Sequence, residues 1–189
     1  MKRQMARMVS TFGIILLVTA GVVSGAQTGT SGKEAKISDD DAEFVKAAAS
    51  GGMMEVELGK LAAEKATSSQ VKEFGSRMRK DHSKANDELK KIAAKKDIKL
   101  PTELEAKHKS MVNKLSKLKG EEFDREYIAT MVEDHKEDLE KFQRQADKGK
   151  DPELKKFAQD QVPILKKHLE LAQQTEKQVK GGTKDAGGR

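Results

Sequence analysis

Three of the four histidines in this 189-residue chain lie at positions that suit ligands of a buried metal ion. His82 and His135 each follow an aspartate directly, and His168 lies closer to the C-terminus. Around the first two, side chains at steps of four, seven and eleven residues are apolar, and those steps return to one face of an α-helix. His168 lies on the apolar face of the last predicted helix. We therefore expect all three imidazoles to point into a helical core.

The two Asp-His pairs belong to a longer internal repeat. When the chain is aligned on these pairs, both stretches carry an aromatic residue eight positions before the histidine, a methionine four before it and an apolar residue seven after it. The matched residues are Phe74 and Tyr127, Met78 and Met131, and Leu89 and Phe142. The repeat predicts two long helices that present equivalent faces to one core.

Helix signals divide the chain from Ser38 onward into four long helices and one short one. A serine followed by three aspartates at 38–41 favours a helix start, because the serine caps the helix and its dipole attracts the acids. The later helices are expected at about 69–95, 103–118, 122–147 and 152–179. Pro163 predicts a kink in the last one, since proline removes a backbone donor. No stretch alternates with period two, so no strand is predicted.

These elements predict an all-α four-helix bundle, with the short extra helix in the long connection between the second and third long helices. His82, His135 and His168 each fall near the middle of a long helix. Residues at mid-helix share one level in an antiparallel bundle, so the three rings are expected to converge. On the first helix, Glu55 lies at that level on the edge of the buried face.

Three imidazoles and one carboxylate make up a ligand set that can bind a metal ion. Neutral imidazole suits Zn, Fe, Cu or Ni, and the carboxylate supplies negative charge. The candidate ligands of one transition metal ion are Glu55, His82, His135 and His168. Nearby side chains that could orient the rings by accepting hydrogen bonds are Asp81, Asn86, Asp134 and Asp138.

The same residues also fit a bundle without metal, in which the histidines fill the core beside neighbouring carboxylates. Such a protein would serve a structural or partner-binding role in the cell envelope. A metal-dependent oxidase or peroxidase is a third class. The sequence leans away from an enzyme and assigns no catalytic residue, because no nucleophile with its base and no phosphate-binding glycine loop is present. His108, in a Glu-x-x-His pair on the short helix, is predicted to lie at the surface.

Composition excludes several classes of function. Charged residues make up 36% and aromatic residues 4%, a balance typical of long helices with narrow apolar faces. The net charge of +6 does not indicate nucleic-acid binding, because lysines alternate with acids and there is no basic run with aromatic residues for base stacking. The chain has no cysteine, which excludes disulfides, cysteine-based zinc sites and a lipid anchor on an N-terminal cysteine.

The N-terminal residues have the pattern of a secretory signal peptide. Lys2, Arg3 and Arg7 precede an apolar stretch from Phe12 to Val23, which is shorter than the roughly 20 residues of a membrane span. We expect an exported protein, periplasmic or associated with the envelope, with no transmembrane span after cleavage. A protein partner or homo-oligomer remains open. The predicted organisation is a signal peptide at 1–26, a flexible leader at 27–37, the bundle at 38–180 and a disordered tail at 181–189.

Four stretches resemble an exported bacterial family catalogued as domain of unknown function 4142. They are residues 43–66, 71–89, 123–142 and 154–172, within a resemblance that covers about residues 39–175. The resemblance implies a ferritin-like bundle and little about activity. Di-iron members of that fold carry Glu-x-x-His on two helices. Here the residues three positions before the histidines are Arg79, Val132 and Leu165, which argues against a carboxylate-bridged di-iron site.

Overall fold

The computed structural model describes residues 37–185, and these residues form five α-helices and no strand. The helices are α1 (Asp39–Lys65), α2 (Ser69–Lys95), α3 (Ala106–Ser116), α4 (Gly120–Lys148) and α5 (Pro152–Asp185). The predicted all-α bundle of four long helices, with one short helix in the connection between the second and third, is confirmed. The predicted signal peptide lies outside the described residues, as does nearly all of the leader.

Local capping explains where the long helices begin. The Ser38 hydroxyl oxygen accepts a hydrogen bond from the backbone N–H of Asp41 at 3.2 Å, and three aspartates occupy the first turn of α1. Asp151 has the same role for α5, because its Oδ1 atom accepts from the N–H groups of Glu153 and Leu154 at 3.0 Å each. These caps satisfy N–H groups that have no partner within their own helix.

The long helices pack as two antiparallel pairs. Helix α1 pairs with α2, and α4 pairs with α5, through links of only a few residues that force each pair to run antiparallel. The connection from α2 to α4 carries α3, which lies against α1. The bundle therefore places the midpoints of all four long helices at one level.

Two apolar clusters form the core of the bundle. One centres on buried side chains such as Met54, Leu58 and Tyr127, and the other includes Phe44 and Phe142, whose rings meet edge to face at 5.0 Å between centroids. The polar residues of the candidate site lie on the same helices as both clusters. Within the described residues, no helix is both long and apolar enough to cross a membrane.

Glycines permit the closest approach of α1 and α2. A Cβ atom on Gly59 would lie 2.5 Å from the carbonyl oxygen of Gly75, and a Cβ on Gly75 would overlap the Ala62 side chain. Gly52 also faces α2, because a Cβ there would overlap the Asn86 side chain, whereas Gly51 faces His108 and Asp138.

Two helix limits differ from the sequence-based expectation. Helix α3 begins at Ala106 rather than near residue 103. Helix α5 continues through Pro163 and ends at Asp185, five residues beyond the expected end of the bundle at residue 180. Gly181 and Gly182 do not stop the helix, because a glycine costs only about 1 kcal/mol there relative to alanine and does not forbid helical backbone.

Candidate metal centre

Three imidazoles from three helices meet in the middle of the core. The ring centroids of His82 and His135 are 5.7 Å apart, and each lies 5.5 Å from the centroid of His168. One ring nitrogen from each residue lies within 4.8 Å of the other two. All three residues are buried, with exposed fractions of 8%, 1% and 1%. The structure thus brings together the three histidines that the sequence analysis singled out.

Hydrogen bonds at the outer nitrogens orient two of the rings. Nδ1 of His135 lies 3.0 Å from the carbonyl oxygen of Met131, one turn earlier on α4. Nε2 of His168 lies 3.0 Å from Oδ2 of Asp81 on α2. Since each acceptor is an oxygen, the facing nitrogen carries the proton and the opposite nitrogen of the ring has a free lone pair.

Three other ring nitrogens of the cluster have no hydrogen-bond partner. They are Nε2 of His82, Nε2 of His135 and Nδ1 of His168, each buried from solvent. Buried polar atoms are almost always satisfied in folded proteins, so several unsatisfied atoms in one place indicate a ligand that completes them. Three imidazole lone pairs at this spacing match the ligands of a transition metal ion.

Burial keeps these rings neutral. Loss of solvent around His82 lowers its pKa well below the usual value, and the adjacent His135 and His168 lower it further. The pKa of His135 falls to about 4 for the same reason, with His168 as the second contribution. Burial also lowers the pKa of His168, although its hydrogen bond to Asp81 opposes the shift. Neutral imidazole is the form that binds metal ions, so no proton has to leave before binding.

Glu55 does not join the three rings. Its carboxylate is fully buried and lies 3.4 Å from Nδ1 of His135, measured from Oε1. With Asp134 and His135 it forms a second group whose candidate ligand atoms lie within 4.8 Å of one another. Glu55 therefore adjoins the cluster at the outer nitrogen of His135 rather than among the three inner nitrogens.

The two acids of this second group favour the protonated state. Burial raises the pKa of Glu55 well above its ordinary value, and the charge of Asp134 raises it further. Burial likewise raises the pKa of Asp134 to about 7, with Asp138 contributing in the same direction. Both carboxylate oxygens of Glu55 and Oδ2 of Asp134 lack hydrogen-bond partners, so these groups gain little compensation for their burial.

Among the four residues expected to orient the rings, Asp81 is the one that hydrogen-bonds an imidazole. It contacts His168 rather than the neighbouring His82 of its own helix. Asp134 lies beside Glu55, and Asp138 pairs with Lys141 at 3.1 Å on the same helix. The sequence placed all of these acids near the rings, but only the packing of the helices decides which one reaches a nitrogen.

His108 is buried, so the prediction that it lies at the surface is wrong. Its Nδ1 atom is 2.7 Å from the hydroxyl oxygen of Ser50, which also accepts a hydrogen bond from the backbone N–H of Glu105 at 2.9 Å. The spacing contained the signal: Val112 and Leu115 lie four and seven residues later and are buried on the same face. This histidine fixes α3 against α1 and is not part of the three-histidine cluster.

Comparison with known families now identifies the chain. A family model described as domain of unknown function (DUF4142) matches residues 26–175. The chain belongs to the DUF4142 family. No curated protein sequence is significantly similar to it.

Two solved structures resemble this DUF4142 chain. One is a DUF305 fragment from Deinococcus radiodurans, with a TM-score of 0.67 and 13% identity, covering 75% of this chain and 98% of the fragment. The other is CopM in its Cu(II)-bound form, with a TM-score of 0.62 and 17% identity, covering 73% of this chain and 96% of CopM. At these identities the likeness shows a shared helical-bundle fold.

Proposed function

We propose that this protein binds one transition metal ion through His82, His135 and His168. The observation that carries the proposal is the convergence of three buried imidazoles whose inner nitrogens have no hydrogen-bond partner. Buried neutral imidazoles suit Zn, Fe, Cu or Ni. Cu(II) is the first metal to test, because a bundle of the same fold has been solved with Cu(II) bound.

Glu55 has a supporting role in this proposal. Its carboxylate contacts the outer nitrogen of His135, so we assign it to orientation and charge compensation rather than to the group of three nitrogens. A divalent ion held by three neutral rings brings two positive charges into the core. The bound ion favours the ionised form of the buried Glu55 carboxyl on the far side of one ring, which then offsets part of that charge.

A purely structural role for the histidines explains the site less well. Histidines that only fill a core are expected to have both ring nitrogens satisfied or one of them exposed. In this core, each of the three histidines has a buried ring nitrogen without a hydrogen-bond partner. Both carboxylate oxygens of Glu55 are also buried without one. A bound cation accounts for the three nitrogens together.

Metal analysis of protein purified without a His tag tests the proposal. We expect about one ion per chain after exposure to Cu(II) or Zn(II), and its loss in the triple variant His82→Ala, His135→Ala, His168→Ala. His108→Ala is the matched control, because it removes a buried histidine outside the cluster and should keep the ion. If the native chain binds no ion, or if the triple variant binds as tightly as the native chain, the proposal fails.

We also propose that the protein is exported to the periplasm or cell envelope. The support is the basic, apolar and small-residue order of residues 1–26. Mass spectrometry of protein from fractionated cells should find a new N-terminus near Gln27. An intact Met1 on protein from the cytoplasm would contradict export.

A further inference from the structure

Two spaces each border one of the proposed metal ligands. An outer depression of about 320 Å³ between α2 and α5 is lined by residues that include Asp81, His168, Ala85 and Gln161. A smaller inner cavity of about 20 Å³ is lined by His82 and by residues of all four long helices. Ala85 and Gln161 line both spaces.

The inner cavity has the size and lining of a site for a very small ligand. A space of roughly 10–15 Å³ or more is enough for one water molecule. Phe142, Phe157 and Leu165 supply apolar walls, Asn86 and Gln161 supply side-chain amides, and Asp138 supplies a carboxyl group. Apolar walls with a few polar groups are typical of small-molecule sites.

The ligand set itself is incomplete for a closed site. Structural metal sites usually have four protein ligands, whereas sites that exchange a ligand have three protein ligands and one open position. Three imidazoles converge here, and Glu55 lies on the other side of His135, at its outer nitrogen. Protein groups therefore approach the ion from three helices, and the inner cavity borders His82 from within the bundle, among residues of all four long helices.

We propose that the metal ion keeps a fourth coordination position that faces this cavity and takes a small exogenous ligand, such as water, hydroxide or a small anion. This inference rests on the proposed function, because it requires an ion at the three histidines. The outer depression carries both signs of charge. Its basic residues are Arg77, Lys84 and Lys167, and its acids are Asp81, Glu88 and Asp160. The approach is therefore open to neutral and to anionic ligands.

Azide is the probe for the first experiment. Protein loaded with one equivalent of Cu(II) is titrated with azide, and the charge-transfer absorption of copper-bound azide is followed. We expect a saturable band with one azide per copper. The bulkier 1,2-dimethylimidazole is the size control. Relative to azide, it should bind the copper held by the protein at least tenfold more weakly than it binds free Cu(II), because the cavity beside His82 is small.

A pair of alanine variants on α2 tests an entry path past Ala85. Ala85→Leu enlarges a side chain that lines both spaces, and Ala94→Leu places the same side chain on the exposed face of the helix. We expect Ala85→Leu to weaken azide binding at least tenfold and to change copper affinity less than threefold. Ala94→Leu should match the native protein in both measurements. Circular dichroism checks that each variant is folded, and if Ala85→Leu does not fold, the size selectivity of the native protein decides.

The outcomes separate the two proposals. If copper binds but azide gives no band, and pulsed EPR in isotope-labelled water detects no solvent oxygen on copper, the fourth position is closed and this inference fails while the metal site stands. A band that appears only in Glu55→Gln would show that Glu55 occupies that position, which also overturns the inference. Equal azide affinity in Ala85→Leu and the native protein would exclude the path. If no copper binds at all, both the inference and the proposed function fail.

Discussion

The two Asp-His pairs have the same sequence, yet their aspartates lie in opposite environments. The side chain of Asp81 is 31% exposed, and it contacts His168 as well as Arg77, whose Nε lies 3.5 Å away. Asp134 is 5% exposed and lies beside Glu55. One aspartate therefore orients a candidate metal ligand from the surface, while the other is an acid in the core with a raised pKa.

The neighbouring helix accounts for the difference. In each pair the aspartate precedes its histidine by one residue, so the two side chains point about 100° apart around the helix. When the histidine points into the core, the aspartate turns toward an adjacent helix. On α2 the aspartate reaches His168 of α5, whereas on α4 it meets Glu55 of α1. The role of an Asp-His pair is thus decided by the residue opposite the aspartate.

The largest expected effect comes from Asp134→Asn in the metal-free protein. The pKa of Asp134 is about 7 in the folded state, against about 4 in an unfolded chain. Between these pH values the folded state holds a proton on Asp134 that the unfolded state has lost. The contribution of Asp134 to the free energy of unfolding is therefore fully present below about pH 4 and is lost as the pH rises to about 7. We expect the variant to be more stable than the native protein by up to about 4 kcal/mol at pH 8, with no gain at pH 4.

Urea unfolding at a series of pH values measures this difference. Asp147→Asn, at an exposed position on the same helix, controls for the removal of one carboxylate. Subtracting variant from native stability at each pH removes the contribution of the histidines. A difference that does not change between pH 4 and pH 8 would contradict the buried, protonated state of Asp134.

Gly75→Ala should destabilise the protein by about 3 kcal/mol, because overpacking a well-packed core has a cost of that order. In the repeat, Gly75 of α2 corresponds to Ile128 of α4. A Cβ at position 75 would overlap the Ala62 side chain and lie 3.1 Å from the carbonyl oxygen of Gly59, whereas Ile128 is fully buried without such a constraint. Gly181→Ala is the control, since nothing lies within 4 Å of a Cβ there. Equal stability of the two variants in urea would refute the close approach of α1 and α2.

Asp81→Asn should weaken metal binding by about 10- to 100-fold, the usual effect of removing a carboxylate that orients a ligating histidine. Its effect on the stability of the metal-free protein should be below about 1 kcal/mol, because the contact is partly exposed. Competition with a chelator of known affinity measures the binding. Asp160→Asn removes another acid from the same depression without touching His168, so it should bind nearly as the native protein does. If both variants lose metal affinity equally, the loss comes from the removal of a negative charge and not from the contact between Asp81 and His168.

The smallest effect is expected from Tyr127→Phe. Phe74 occupies the equivalent position on α2, and the hydroxyl of Tyr127 is buried without a hydrogen-bond partner. Removing an unsatisfied hydroxyl should leave the free energy of unfolding unchanged or raise it by up to about 1 kcal/mol. The reverse change, Phe74→Tyr, should lower it. Destabilisation by Tyr127→Phe in thermal unfolding would show that the hydroxyl has a partner.

Most of the fold could be predicted from the sequence. The limits of α2 agree with the expected range, and those of α4 differ by only one or two residues. The apolar spacing around each histidine and the capping residues before α1 and α5 are local signals. They act within one segment and do not depend on how the helices pack. Gly181 and Gly182 did not end α5, since each glycine costs only about 1 kcal/mol in a helix. The kink expected at Pro163 stays a prediction.

The site was predictable only in part. The depth of His82, His135 and His168 follows from helix length and periodicity, so their convergence could be expected from the sequence. Glu55 was correctly placed at that level, but the sequence could not show that it adjoins the outer nitrogen of His135. His108 was misplaced although its spacing to Val112 and Leu115 puts it on the buried face of α3, where its ring meets Ser50 of α1.

By itself the sequence determined the helices, the apolar face of each helix and the level at which three imidazoles lie. These depend on the regular rise and rotation of an α-helix, which one chain segment carries alone. Only the tertiary structure decided which ring nitrogens lack a partner, which aspartate reaches a histidine and which cavity borders His82. Those features depend on the rotation and spacing of neighbouring helices. Small residues at the helix contacts set that spacing, and one segment read alone does not show which small residues lie at a contact.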